Sequence, residues 1–205
     1  MEIKQVKSKF MMGKFDQNTY VILGKKDAVI IDAGAELEDV IETVQNKNVK
    51  AILITHMHFD HIFNIEKYAE HFNCDIYMCK GAEERLQNHI LNGSVMIRKE
   101  IIFSINNKLI THYINELEIG EFKFKIYFTP GHTSDCVCIL LNDCLFTGDT
   151  IFEDAIGRCD LADSSTNNMI ESLKLIKNLD YKIAYPGHYN HCDKKQIDRT
   201  IDFYI

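Results

Sequence analysis

Proline is scarce in this chain, with two residues in 205. No Pro-rich or Gly/Ser-rich stretch marks a linker. The length suits one good-sized core, so residues 1–205 are read as a single domain. Long apolar runs are missing too. None approaches the ~18 residues that a membrane-spanning helix requires. The opening Met1-Glu2-Ile3-Lys4-Gln5-Val6-Lys7 has lysines but no apolar segment behind them, so no secretory signal is expected. There is no basic excess. The formal net charge of −7 lacks the electrostatic footprint of a nucleic-acid binder. Seven cysteines occur without a Cys-x-x-Cys pair. An odd number without an export signal reads as reduced thiols in a cytoplasmic protein. Cys136 and Cys138 share one face of an expected strand. Core packing and a soft-metal site are the two readings for them.

What the chain does have is a dense polar run, Thr55-His56-Met57-His58-Phe59-Asp60-His61. It follows Ala51-Ile52-Leu53-Ile54, a short apolar segment that reads as a buried strand. Imidazole and carboxylate are the donors that zinc, iron and manganese accept. Three histidines and an aspartate crowded at one strand end point to a cation.

Three more polar clusters follow expected strands. Thr129-Pro130-Gly131-His132-Thr133-Ser134-Asp135 follows Phe122–Phe128, whose alternating pattern marks a half-buried strand. Thr147-Gly148-Asp149-Thr150 follows a strand beginning at Cys144. Pro186-Gly187-His188 follows Ile183-Ala184-Tyr185. Both prolines precede a Gly-His pair, where proline stops strand pairing and glycine permits an unusual turn. Two metal ions need about seven protein ligands when one carboxylate bridges and water completes each shell. His56, His58, Asp60, His61, His132, Asp149 and His188 supply that number. Two dications would lower the pKa of a water between them toward ~7.

Further strands are expected at Thr19–Leu23, Ala28–Ile31, Asp75–Met78 and Cys136–Leu141, with a tight hairpin at Asn142-Asp143. Helices are expected at Glu36–Gln45, Ile62–Phe72, Gly81–Leu91 and 193–203, and one capped by Thr166 or Asn167 with Ile170, Leu173, Leu175 and Ile176 as its apolar positions. Residues 92–120 read as loop and strand. Strands in two groups with helices after each group fit two sheets packed face to face, helices outside, with ligand sites beyond the strand ends.

The clusters Thr55-His56-x-His58-x-Asp60-His61, Gly131-His132-Thr133, Gly148-Asp149-Thr150 and Pro186-Gly187-His188 resemble the metallo-β-lactamase fold superfamily, and within it the glyoxalase II-like hydrolases. The resemblance implies an α/β, four-layer αββα sandwich with two mixed sheets and outer helices. It implies two divalent metal ions, with zinc the first choice and iron or manganese the alternatives. His56, His58 and His132 match the ligands of the first ion, Asp60, His61 and His188 those of the second, and Asp149 the bridging aspartate. Asp60 also matches the residue that orients the attacking hydroxide. β-Lactamases of the common subclass place a cysteine among the ligands. Flavodiiron proteins have glutamate at the place of His58. The thioesterase branch is therefore the match, with a small-molecule substrate such as a glutathione thioester. A persulfide dioxygenase with one iron, a lactonase, and a non-catalytic metal-binding module are the competing readings.

Two departures stand out. The chain ends at Ile205, soon after His188, so the C-terminal helical domain of glyoxalase II is not expected. At Gly157-Arg158-Cys159-Asp160 an aspartate replaces an aromatic residue of the glyoxalase pattern. Arg158 is the substrate-binding candidate, by gripping a carboxylate in a bidentate fork. Its other reading is a structural pair with Asp160 or Asp163. His191 could support His188 or be solvated. Asp32 could orient the first cluster or cap the following helix. His71, His89 and His112 read as structural or surface residues.

Overall fold

The computed structural model describes residues 1–9, 16–105, 109–111 and 115–205. Its first sheet runs in the order β1 (Glu2–Lys7), β2 (Asn18–Leu23), β3 (Asp27–Ile31), β4 (Asn48–Leu53), β5 (Asp75–Met78) and β6 (Leu109–Thr111). The first three strands are antiparallel and the last four parallel. The second sheet contains β7 (Glu116–Ile119), β8 (Phe122–Phe128), β9 (Val137–Leu141), β10 (Cys144–Gly148), β11 (Ile183–Pro186) and β12 (Cys192–Asp193) as adjacent neighbours in chain order. All its pairings are antiparallel except β10 with β11. The helices are α1 (Leu37–Val44), α2 (Ile65–Phe72), α3 (Thr166–Lys177) and α4 (Lys194–Tyr204).

Side-chain alternation explains the layering. Along β9, Ile139 and Leu141 enter a core shared with Tyr20, Ile22 and Ile52 of the first sheet. Cys138 and Leu140 enter a second cluster with Met169, Leu173 and Ile176 of α3 and Ile197 and Ile201 of α4. Period two sends successive residues to opposite faces, so β9 is buried at every position. β2, with sequence Asn-Thr-Tyr-Val-Ile-Leu, is also buried throughout, as expected of a strand covered on both sides. Helices α1 and α2 bury Val40, Val44, Ile65 and Tyr68 in the core of the first sheet. The architecture is the αββα sandwich of two mixed sheets.

Several boundaries differ from the sequence reading. Of the helix expected over Gly81–Leu91, only Ala82–Gln87 winds, and it does so as a 3-10 helix. Helix α2 starts at Ile65 rather than Ile62. Ser165 caps α3 by accepting from the Asn168 N–H, in place of Thr166 or Asn167. The buried face of α3 is Met169, Ser172, Leu173 and Ile176, while Leu175 is exposed. The hairpin at Asn142-Asp143 joins β9 to β10 as expected, with Asn142 at φ 53°. Part of the 92–120 stretch is strand, namely β6 and β7. Asn106, Asn107 and His112 lie outside the described residues. Cys136, Cys138, Cys144, Cys159 and Cys192 are free thiols. Burial pushes the Cys138 thiol up to about 11, which suits a packed, unreactive group. No helix among the described residues is long and apolar enough to cross a membrane.

Candidate metal centre

All four strand-end clusters meet at one edge of the sandwich. His56, His58, Asp60 and His61 lie beyond β4, His132 beyond β8, Asp149 immediately after β10, and His188 just beyond β11. Three donor groups each have their ligand atoms within 4.8 Å of one another: His56 with His58 and His132, His56 with His61 and Asp149, and Asp60 with His61 and His188. The shortest internal approaches are His58 Nδ1 to His132 Nε2 at 2.9 Å, and His61 Nε2 to Asp149 Oδ1 at 3.1 Å. His188 Nε2 lies 3.3 Å from Asp60 Oδ2 and 3.4 Å from Asp149 Oδ2. All seven candidate ligands are thus brought together. The donors span both sheets, the first four coming from one and the last three from the other.

The surroundings fix which ring nitrogen faces inward. Asp32 Oδ2 is 2.8 Å from His61 Nδ1. A carboxylate only accepts, so Nδ1 carries the proton and Nε2 is presented to Asp149. The Arg158 carbonyl does the same for His132 by accepting from Nδ1 at 3.0 Å. Asp32 also accepts from the Thr55 N–H and hydroxyl, both at 2.8 Å. It therefore orients the histidine loop. It does not cap α1, whose N-cap is Glu36.

Sequence reasoning missed two supports. Asn18 donates to the carbonyls of Pro186 and Tyr189 at 3.0 and 2.9 Å, and the Tyr20 hydroxyl donates to Pro186 at 2.7 Å. These bonds pin the turn that carries His188. Gly187 is required there by proximity, because a Cβ would overlap Asp149 Oδ1 and the His61 ring. The second support is the buried Arg85. Its Nε lies 3.0 Å from Asp135 Oδ1, and the same guanidinium donates to Asp163 and to the Leu91 carbonyl. Asp135 Oδ2 accepts from the Met57 N–H at 3.0 Å. Asp135 thus ties the loop after β8 both to Arg85, by an ion pair, and to the His56–His61 loop, by the Met57 hydrogen bond. No local signal marks Arg85, since Glu-Glu-Arg-Leu-Gln reads as a solvated face.

Charge at the centre is strongly coupled. Burial pushes His58 down to about 3, with neighbouring His132 adding to the effect. Burial likewise holds His56 well below the ordinary imidazole value. Burial also opposes charge on His188, but Asp149 and Asp60 outweigh it and raise that group to about 10. The same balance with Asp149 and Asp32 holds His61 well above its usual range. Despite burial, His188 and His61 keep Asp149 well below the carboxylate range. Asp60 is likewise lowered, mainly by its bond to His188.

Three buried atoms at the centre, His56 Nε2, His61 Nε2 and Asp149 Oδ1, make no hydrogen bond of good geometry, although the last two lie 3.1 Å apart. Leaving such atoms unsatisfied is unfavourable. A cation is a partner that both imidazoles and the carboxylate oxygen can share once His61 gives up its proton, so the residues fit a metal.

The other candidates sort differently. Arg158 and Asp160 form a bidentate pair at 2.9 Å for both bonds, while Asp163 is engaged by Arg85. Both Arg158 and Asp149 line a cleft of about 530 Å³. His191 is exposed and stacks on Tyr185. His71 is exposed against Phe72, and His89 lies 4.0 Å from Glu100. Cys136 and Cys138 are buried, with Thr133 3.0 Å and Thr129 3.4 Å from their respective sulfurs.

A family model described as the metallo-beta-lactamase superfamily matches residues 12–188. The chain is 30% identical over 186 residues to the "Probable metallo-hydrolase YqgX" of Bacillus subtilis, covering 86% of this chain and 87% of that one. It is 30% identical over 193 residues to the "Probable polyketide biosynthesis zinc-dependent hydrolase BaeB" of Bacillus velezensis, covering 91% and 78%. Among solved structures, the BLEG-1 B3 metallo-beta-lactamase superposes with a TM-score of 0.88 at 28% identity, covering 99% of each chain. The ETHE1 structure from Myxococcus xanthus, at 23% identity and a TM-score of 0.74, covers 98% of this chain and 83% of its own, and shares the fold. The chain belongs to the metallo-beta-lactamase superfamily, as one of its metal-dependent hydrolases.

Proposed function

We propose that the chain is a dinuclear metal-dependent thioester hydrolase of the glyoxalase II type. His56, His58 and His132 would hold one ion and Asp60, His61 and His188 the other, with Asp149 shared between them. The observation that carries this reading is the convergence of those seven donors around three buried atoms that make no hydrogen bond of good geometry. Zinc is the first choice of metal, supported by the name of the BaeB relative. The imidazole and carboxylate donors also suit iron or manganese. When bound, such a pair supplies Lewis acidity and an ionised water near neutral pH.

The chain's own groups account for the rest. Asp60 lines the cleft, and its carboxylate stays anionic through its bond to His188. It can accept a hydrogen bond from the attacking water and hold it in line with a substrate carbonyl. Asp32 and the Arg158 carbonyl keep His61 and His132 from rotating. A thiolate leaves without much protonation, so no separate general acid is required. The cleft's volume of about 530 Å³ lies in the range of small-molecule sites.

Metal analysis and thioester hydrolysis measured on one preparation test this reading. Asp149→Ala and His58→Ala should lose metal and turnover together. Full turnover in a metal-free preparation would overturn the reading. So would oxygen uptake with a glutathione persulfide, or nitrocefin hydrolysis, in a preparation inert toward thioesters.

A further inference from the structure

Tyr189 stands where backbone and solvent both disfavour it. It follows His188 and holds a left-handed conformation at φ 65°. Glycine and asparagine adopt that region readily, and a bulky residue seldom does. The side chain is also 64% exposed, so little apolar burial offsets the strain. Asn18 Nδ2 and Gln5 Nε2 donate to the Tyr189 carbonyl at 2.9 and 3.3 Å. Both bonds act on the main chain, so the turn that presents His188 does not depend on the tyrosine ring. The ring itself meets Phe152 edge to face, with centroids 5.5 Å apart and planes at 87°. Phe152 in turn lies 6.2 Å from the His188 ring. Both Phe152 and Tyr189 line the cleft that contains Asp60, Asp149 and His188.

We infer that Tyr189 is a specificity-determining residue: with Phe152 it forms an aromatic seat beside His188 for the hydrocarbon acyl arm of a thioester. The inference rests on the thioesterase reading and adds the acyl side to it. The thiol arm is left open, glutathione included. Backbone strain kept at a cleft is a pointer to function when the fold draws no benefit from it. Here the benefit lies in what the ring can touch. Ile156 and Leu161 line the same cleft and extend its apolar wall. A hydrocarbon chain laid against these groups removes its own surface and that of the Tyr189 ring from water together. An acetyl group covers less of the wall and gains less.

The experiment compares S-hexanoylglutathione with S-acetylglutathione on the metal-loaded protein, as wild type, Tyr189→Asn and Tyr189→Phe. The shared glutathione cancels the thiol arm, so the ratio of the two kcat/KM values reports the acyl seat. Wild type should favour the hexanoyl thioester. Tyr189→Asn should lower the ratio about tenfold, the order of two buried methylenes, and Tyr189→Phe should keep it. The urea midpoint of Tyr189→Asn should be no lower than that of wild type, because asparagine suits the left-handed position. A tyrosine that served the fold alone would lower that midpoint and slow both substrates alike. Wild-type preference for S-acetylglutathione, a ratio that Tyr189→Asn leaves unchanged, or a loss shared by Tyr189→Phe would overturn the inference. If wild type hydrolyses neither thioester, the thioesterase reading fails on its own, and calorimetry with the thioethers S-hexylglutathione and S-methylglutathione decides the seat. Tighter binding of the hexyl compound that Tyr189→Asn abolishes supports the inference. Equal affinities, or a preference that the variant keeps, overturn it.

Discussion

Asp32 and His61 are joined by a 2.8 Å hydrogen bond inside the protein, with both side chains almost fully buried. The bond dictates which imidazole nitrogen looks toward Asp149. Asp32 holds a left-handed backbone conformation at φ 61°, uncommon outside glycine and asparagine-like residues, and this turns the chain at the end of β3. Replacing Asp32 with alanine should lower metal affinity about 10–100-fold, the usual effect of removing a group that orients a ligand. It should also destabilise the fold by about 1–3 kcal/mol for each Thr55 donor left unpaired. Competition with a chromogenic chelator and urea melts measure the two effects separately. Unchanged metal affinity would show that His61 keeps its orientation without Asp32.

The coupled charges should give the chelated protein greater stability near pH 6.5 than in acid or in alkali. His56 and His58 are held below the ordinary imidazole value of 6.5. Below pH 6.5 the unfolded chain therefore takes up protons that the fold excludes, and stability falls toward pH 3. Asp60 and Asp149 are depressed, and their contribution is lost in the same acid direction. His188 is raised to about 10 and His61 lies above its usual value. Their contribution is complete below 6.5 and fades as pH climbs toward 10. Urea midpoints at pH 4.5, 6.5 and 9 should be highest at the middle value.

Metal uptake should release protons at pH 7.5. His188 is raised to about 10 and His61 well above its usual range, and each must deprotonate to donate a lone pair. Calorimetric titration with zinc in buffers of different ionisation enthalpy counts those protons. A heat independent of buffer would contradict the charge assignment.

Loss of Arg85 should loosen the loops it holds. Arg85→Met leaves Asp135 buried without its cation. Breaking a buried pair by removing one partner typically costs about 3–5 kcal/mol. Arg85→Met/Asp135→Asn should be milder than Arg85→Met alone, because the stranded charge is gone. A double-mutant cycle on denaturation midpoints reads the coupling directly.

Gly187→Ala tests the turn that carries His188. The added methyl overlaps Asp149 and His61. Overpacking of this kind typically costs about 1–3 kcal/mol. Metal content measured by mass spectrometry should drop even where circular dichroism shows the sandwich intact.

The strand-end clusters were legible because each is contiguous and follows a strand of clear pattern. The two-sheet sandwich and the convergence at one edge follow from those motifs together with the fold they resemble, whereas the strand order within each sheet and the strand β1 do not. Arg85 was illegible because its partners, Asp135 and Asp163, lie far away in sequence, and its neighbours Glu83 and Glu84 read as surface. The same stretch looks helical by composition but winds as a 3-10 helix, and its Arg85 side chain is drawn inward to Asp135. The short strands β6 and β12 are too brief for an alternating pattern to register. For Gly187 the sequence pointed to turn freedom, whereas the structure shows that closeness to Asp149 excludes a side chain.

Because four of the converging donors hang from one sheet and three from the other, neither half of the molecule holds a full set. A bound ion pair would act as a clasp across the seam of the sandwich. Cutting the chain between the two sheets should therefore leave fragments blind to metal until they reassemble. Metal-dependent association of such fragments would be a direct report of that seam.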